Sequence, residues 1–127
     1  MTRALSARGH TGAIVPYEGL VASIGGRPGL RGGQEELDRA DAVLARIIPS
    51  GSLEQIIFRV DALHCLEERG TRVMNSARTI QRTVDKFWTS ALLEQCGLPT
   101  PRTAVCESAE EALTRANDID VRTVIAG

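Results

Sequence analysis

Two short turns in the sequence carry polar side chains at places where an α/β protein can bind an anion. The first turn, Pro49-Ser50-Gly51-Ser52, follows an apolar run over residues 41–48 that is typical of a buried strand. The second turn, Asn75-Ser76, follows a short strand-like stretch over residues 71–74. Ligands of open α/β sheets collect at the carboxyl ends of the strands, so both turns are candidates for a ligand site.

The first turn also lies at the start of a helix. Ser52 and Gln55 have the spacing of a capping box, which marks a helix N-terminus. Free N–H groups and the helix dipole favour an anion at such a terminus. Capping alone would also explain the serine, so two interpretations of Ser52 stay open.

A third candidate is Lys86, the only lysine in the chain. The pair Asp85-Lys86 lies in the first turn of a helix predicted for residues 84–96. Taken alone, this position is typical of a solvated lysine that pairs with Asp85 or another carboxylate.

The elements that must position these residues alternate between strand and helix. The clearest helix begins at Ser52 and ends at Gly70, and Gly97 ends the helix at 84–96. The glycine-rich segment 24–33 is predicted to be a loop, and it lacks the lysine of a phosphate-binding P-loop. The other predicted elements are helices at 3–8, from Ser76 through Ile80 and at 108–116, and strands at 13–15, 102–106 and 121–125.

This alternation predicts an α/β fold with a largely parallel sheet. Fifteen basic and sixteen acidic residues give a net charge of −1, and few residues are aromatic, so neither nucleic acid nor a membrane surface is an expected partner. Three scattered cysteines match neither a zinc site nor a disulfide framework. The sequence predicts a soluble cytoplasmic protein.

One contiguous block, residues 46–102, resembles a known enzyme family. Its pattern is Asn75 after a strand, Ile80 in a short helix, the Asp85-Lys86 pair, and the turn Gly97-Leu98-Pro99-Thr100-Pro101. This pattern is similar to that of the RimK-like glutamate ligases of the ATP-grasp superfamily. The string SGSLEQIIFRVDALHCLE upstream looks more specifically like the tetrahydromethanopterin-linked glutamate ligases.

The resemblance implies a fold and a reaction. Residues 1–83 would form a Rossmann-like pre-ATP-grasp domain on the substrate side, with a mostly parallel sheet, and residues 84–127 a linking helix and the start of the ATP-grasp domain. ATP would activate an acceptor carboxylate as an acylphosphate, with Mg²⁺ on the phosphates, and the amine of glutamate or a similar amino acid would then form the amide. No magnesium ligand can be assigned in this chain.

The resemblance also implies roles for individual residues. Lys86 would contact the ATP phosphates, because an ammonium group is a compact counter-charge for them. The substrate-binding candidates are Arg46, Ser50, Ser52 and Asn75.

The sequence departs from the family pattern at both ends. The first strand is missing ahead of Arg8-Gly9-His10, and Ala126-Gly127 stands where a second ATP-contacting lysine is expected. We therefore expect a fragment of a ligase that is inactive alone. The alternative is a non-catalytic α/β module for binding or for forming a homo-oligomer.

Overall fold

The structure, a computed structural model, describes residues 2–26 and 29–118. The contacts within the chain divide it into two units, Met1–Gln81 and Arg82–Gly127. The strands found in the described residues all belong to the first unit, and the second unit is helical there. The predicted domain boundary between residues 83 and 84 stays a prediction.

The elements follow one another in a mixed order. In the first unit they are α1 (Thr2–Ser6), β1 (Leu20–Ala22), β2 (Leu30–Gly32), β3 (Glu35–Glu36), β4 (Ala42–Leu44), α2 (Leu53–Glu68) and β5 (Arg72–Met74). Helix α3 (Ala77–Val84) begins in the first unit, and α4 (Lys86–Gln95) and α5 (Ala109–Asp118) lie in the second. Short 3-10 turns cover Tyr17–Gly19 and Leu37–Arg39.

Helix α2 is the longest element, and its ends are set by local interactions. Ser52 Oγ accepts a hydrogen bond from Gln55 N at 3.3 Å, and Gln55 Oε1 accepts one from Ser52 N at 3.0 Å. Together these bonds satisfy two N–H groups that a helix N-terminus leaves without a partner. Gly70 ends the helix with φ +92°, a conformation that glycine adopts without strain. The predicted helix and its capping box are confirmed.

Strand β4 precedes α2 in the sequence and β5 follows it, and the two strands pair in parallel. Val43 lies opposite Val73, and both side chains are half-buried and pack against the core. Leu44 and Met74 lie opposite each other on the other face, where they are 46% and 61% exposed. The strand predicted at 71–74 is confirmed, whereas the strand predicted at 41–48 is reduced to three residues.

The glycine-rich segment does not remain a loop along its whole length. Its last part forms β2, which pairs antiparallel with both β1 and β3. Leu30 in β2 is 2% exposed, so this strand contributes to the core. Short connections can join only antiparallel strands, and two residues, Gly33 and Gln34, separate β2 from β3. Gly33 allows that turn through its φ of +60°.

The mixed α/β class is confirmed, and the mostly parallel sheet needs correction. Among the described residues, parallel pairing is confined to β4 and β5, and the second sheet is antiparallel. Residues 13–15 and 102–106 were predicted to be strands and do not form them, because no strand among residues 2–26 and 29–118 pairs with them. The strand predicted at 121–125 lies outside the described residues.

Two groups of buried side chains form the core, and α2 contributes to both. On one side its Val60 and Leu63 pack with residues that follow β4 and with α3, and on the other its Ala62 and Leu66 pack with β2. Burying one such aliphatic side chain contributes about 1.5–3 kcal/mol. The buried members are Ala45, Val60, Leu63, Ala77 and Ile80 in the first group, and Leu30, Ala62 and Leu66 in the second.

An ion pair connects the antiparallel sheet to the end of α2. Arg69 Nη1 lies 2.7 Å from Asp38 Oδ1, and Leu30 N donates to Asp38 Oδ2 at 3.0 Å. Burial alone raises the pKa of Asp38, but the hydrogen bonds from Arg69, Leu30 and Gly29 outweigh that effect and leave the pKa lowered. The carboxylate is therefore stabilised in its charged form.

The two helices predicted at 84–96 and 108–116 are confirmed, with bounds of Lys86–Gln95 for α4 and Ala109–Asp118 for α5. Asp85 Oδ1 accepts a hydrogen bond from Trp88 N at 2.8 Å and caps α4, which ends just before Gly97. Ser108 Oγ accepts one from Glu111 N at 3.2 Å and caps α5. In the part of the chain that the structure describes, no helix has the length and apolar character needed to cross a membrane.

Replacing Asp38 with Asn is expected to lower the free energy of unfolding at neutral pH. It is also expected to reduce the loss of that free energy between pH 7 and pH 3. Because the pKa of Asp38 is lower in the folded state, its contribution is present above about pH 4 and is lost as the pH falls through the folded pKa. Urea unfolding at pH 7 and at pH 3 measures this. Glu36→Gln is the control, because its pair with Arg39 at 3.4 Å is exposed. A deficit of Asp38→Asn that is equally large at both pH values would contradict the assignment.

Candidate functional site

The segments that leave β4 and β5 lie side by side. Ala45 N donates to Met74 O at 2.5 Å, and Asn75 N donates to Ala45 O at 3.3 Å. The side chain of Asn75 adds a second hydrogen bond, from Nδ2 to Ala45 O at 3.1 Å. The structure thus brings Asn75 next to the residue that precedes Arg46, at one edge of the parallel pair.

Arg46, Ser50 and Asn75 are all exposed, as residues that contact a ligand at this edge would need to be. Asn75 uses its amide nitrogen to hold the two strand ends together, so its amide oxygen is the atom that a ligand could contact. The substrate-binding roles of these three residues stay predictions.

The side chain of Ser52 caps the N-terminus of α2 in this structure. Besides accepting from Gln55 N, its hydroxyl donates to Glu54 Oε2 at 2.7 Å. This second bond lowers the pKa of the Glu54 carboxyl, because it favours the charged form. The capping interpretation of Ser52 is confirmed, and a ligand would have to compete with both bonds to reach the hydroxyl.

The sequence analysis missed Arg59, which lies in the middle of α2. The residue is 5% exposed, and its Nη1 donates to Pro49 O at 2.8 Å and to Ser50 O at 3.3 Å. Within residues 2–26 and 29–118, no carboxylate oxygen lies within 4.0 Å of the guanidinium. Arg59 therefore connects the buried side of α2 with the turn that leads into the helix.

A signal in the sequence pointed to Arg59. It precedes the buried Ala62 by three residues and the buried Leu66 by seven, which is the spacing of one helix face. Tyr17 lies near the same guanidinium: burial raises the pKa of its hydroxyl, and the charge of Arg59 opposes that rise. An arginine on an apolar helix face is a candidate for a specific polar role.

Lys86 belongs to the second unit and is the first residue of α4. Its side chain is exposed, and among the described residues no carboxylate lies within 4.0 Å of it. The neighbouring Asp85 carboxylate caps the helix instead of pairing with the lysine. A cation at a helix N-terminus adds to the positive end of the helix dipole, and an anion bound there would be favoured by both.

The described residues do not form a metal site. No three His, Cys, Asp or Glu side chains within residues 2–26 and 29–118 are grouped closely enough to hold a metal ion. The residues described here therefore do not supply a site for Mg²⁺ on their own.

The comparisons with known proteins point to one kind of enzyme. The chain is 39% identical over 87 residues to the tetrahydromethanopterin:alpha-L-glutamate ligase of Methanosarcina acetivorans. The match covers 68% of this chain but 27% of that relative, so the chain spans about a quarter of the relative's length. Models of known protein families give no match, and no solved structure is significantly similar. The resemblance to glutamate ligases is confirmed by this relative, and the ATP-grasp assignment stays a prediction.

Two serines of the first turn are expected to respond differently to replacement by alanine. Ser52→Ala removes the cap of α2 and is expected to lower the free energy of unfolding by about 1 kcal/mol. Ser50→Ala leaves the helix end intact, because Ser50 contributes its carbonyl rather than its hydroxyl to the described contacts. Urea unfolding of the two variants measures the difference, and equal stabilities would contradict the capping role of Ser52.

Proposed function

We propose that the chain is part of an ATP-dependent ligase that joins glutamate, or a similar amino acid, to an acceptor carboxylate. The observation that carries this proposal is the 39% identity over 87 residues to a glutamate ligase. The matching stretch is long enough to include one whole unit of this chain. We assign the chain to the amino-terminal, substrate-side part of an ATP-grasp enzyme, which accords with its spanning 27% of the relative.

The proposed reaction has two steps. In the first, the acceptor carboxylate attacks the terminal phosphate of ATP and forms an acylphosphate with release of ADP. In the second, the amine of the incoming amino acid attacks the acyl carbon, phosphate leaves, and the amide is formed. Mg²⁺ would offset the charge of the phosphates, held by residues other than those described here.

Lys86 is the residue we assign to the nucleotide. Its ammonium group is exposed, it has no carboxylate partner among the described residues, and it begins a helix of ten residues. An exposed lysine at the positive end of a helix dipole suits the phosphates, which bring several negative charges.

The first unit is the part we assign to substrate. Its candidates are Arg46, which brings a positive charge, and Asn75, which brings an amide, at the adjoining ends of β4 and β5. Glutamate and the acceptor both carry carboxylates, and arginine binds a carboxylate through paired hydrogen bonds. The name of the relative makes tetrahydromethanopterin the first acceptor to test.

Titration with ATP tests the role of Lys86. The only tryptophan, Trp88, lies two residues after it and provides a fluorescence signal. We expect weak binding by the chain, about fivefold weaker for Lys86→Ala and near the original value for Lys86→Arg, because the charge and not the shape of the side chain attracts the phosphates.

Arg82→Ala is the matched control, since it removes an exposed cation of the same unit and keeps the Arg82 carbonyl that accepts a hydrogen bond from Thr89 of α4. It is expected to bind ATP as the unchanged chain does. Equal binding by the unchanged chain and Lys86→Ala would remove the lysine from the nucleotide site.

A second candidate function is favoured by the exposed face of the parallel strands. Parallel sheets are normally covered on both faces, yet Leu44 and Met74 are 46% and 61% exposed here. Such a face suits an α/β module that associates with another protein or with a second copy of the chain.

Light scattering over a range of concentrations tests this second candidate. If the face forms a homo-oligomer, the measured mass increases with concentration, and Leu44→Glu keeps the chain monomeric because a charge on the face opposes association. Asp61→Lys, on the exposed side of α2, is the control and is expected to leave association unchanged. A mass that stays that of the monomer at every concentration would contradict association.

A further inference from the structure

We propose that Arg59 is a positioning residue of the candidate site. Its buried guanidinium holds the turn of residues 49–51 so that the N–H groups of Ser50 and Gly51 are presented to a substrate carboxylate. The carboxylate as ligand rests on the proposed function. The control of the turn by Arg59 rests on the structure alone.

The geometry of two consecutive peptide groups carries this inference. Arg59 Nη1 donates to two consecutive carbonyls, at 2.8 Å to Pro49 O and at 3.3 Å to Ser50 O. Both peptide bonds are trans, since the cis bond in the described residues is Met74–Asn75. In a planar trans peptide the N–H points opposite to the C=O. The N–H groups of Ser50 and Gly51 therefore point away from the guanidinium.

Those two N–H groups belong to an exposed turn. Ser50 and Gly51 are exposed, and no acceptor among the described residues takes either N–H. The next N–H, of Ser52, is already bound to Gln55 Oε1. Adjacent N–H groups that point the same way attract an anion, and a carboxylate is the anionic group that both proposed substrates share.

The burial of Arg59 agrees with a positioning role rather than a purely stabilising one. A charged group that is 5% exposed and has no carboxylate within 4.0 Å among the described residues is a poor source of stability. An apolar side chain would fill the same space on α2 at lower cost in desolvation. The guanidinium instead fixes two carbonyls that an apolar side chain could not hold.

Gly51 shows how closely the turn packs against this group. A Cβ atom placed there would lie 3.0 Å from Arg59 Nη1 and 2.5 Å from Gln55 Oε1. The turn has no room for a side chain as long as both residues keep their hydrogen bonds. Gly51→Ala is therefore a second way to displace the turn, with Arg59 left in place.

The experiment compares Arg59→Met, Arg59→Lys and Gly51→Ala with the control Arg72→Met, which replaces an exposed arginine of β5. The readouts are the ¹H–¹⁵N resonances and hydrogen exchange of residues 50–52, and titrations with glutamate and with ATP. For Arg59→Met and Gly51→Ala we expect shifted resonances, exchange at Ser52 faster by about tenfold, and glutamate binding weaker by about tenfold.

Both variants are expected to keep the ATP affinity of the unchanged chain, and Arg59→Met is also expected to keep its thermal midpoint. Gly51→Ala is expected to lower the midpoint, because its Cβ displaces the Gln55 side chain that accepts from Ser52 N. Arg59→Lys keeps a cation that can donate to a carbonyl, so it is expected to restore part of the glutamate affinity. Arg72→Met is expected to behave as the unchanged chain.

Resonances of residues 50–52 that do not move in Arg59→Met would overturn the positioning role. If Arg59→Met does not fold, Gly51→Ala decides through glutamate binding, and a glutamate affinity equal to that of the unchanged chain would overturn the proposal. If the chain without substitutions does not bind glutamate, the proposed substrate of this turn is refuted. The resonances of residues 50–52 in Arg59→Met still decide whether Arg59 positions the turn.

Discussion

The burial of one face of α2 is the constraint on which the first unit depends. The helix supplies Val60 and Leu63 to one group of core side chains and Ala62 and Leu66 to the other. Because the helix connects β4 to β5, its packing also sets these strands parallel and places their carboxyl ends side by side. The adjoining ends, and the turn held by Arg59, form the surface that we assign to substrate.

Several elements could be predicted because their signals are local. The capping box of Ser52 and Gln55, the glycines after α2 and α4, and the serine at the start of α5 each act within a few residues. The apolar spacing of α2 likewise lies within one segment, although Leu53 and Ile57 of that stripe are 69% and 49% exposed. A helix pattern identifies a face but not how much of it is covered.

The features that could not be predicted depend on contacts between residues that are distant in the sequence. The glycine-rich segment contributes β2 because β1 and β3 are available to pair with it, and nothing within residues 24–33 encodes those partners. Residues 102–106 have the composition of a strand but no pairing strand among the described residues. The role of Arg59 was missed for a related reason, because its acceptors at Pro49 and Ser50 lie ten and nine residues away on a different element.

The central claim is that this chain carries the substrate-side part of a glutamate ligase, and an exchange of segments tests it most directly. The 87 matching residues of this chain replace their counterpart in the Methanosarcina acetivorans ligase, and ATP-dependent formation of the glutamyl amide is measured. The account predicts a folded chimera that forms the amide, and loses that activity when Lys86 is replaced by Ala. A chimera that folds like the parent enzyme but forms no amide, under conditions where the parent does, would contradict it.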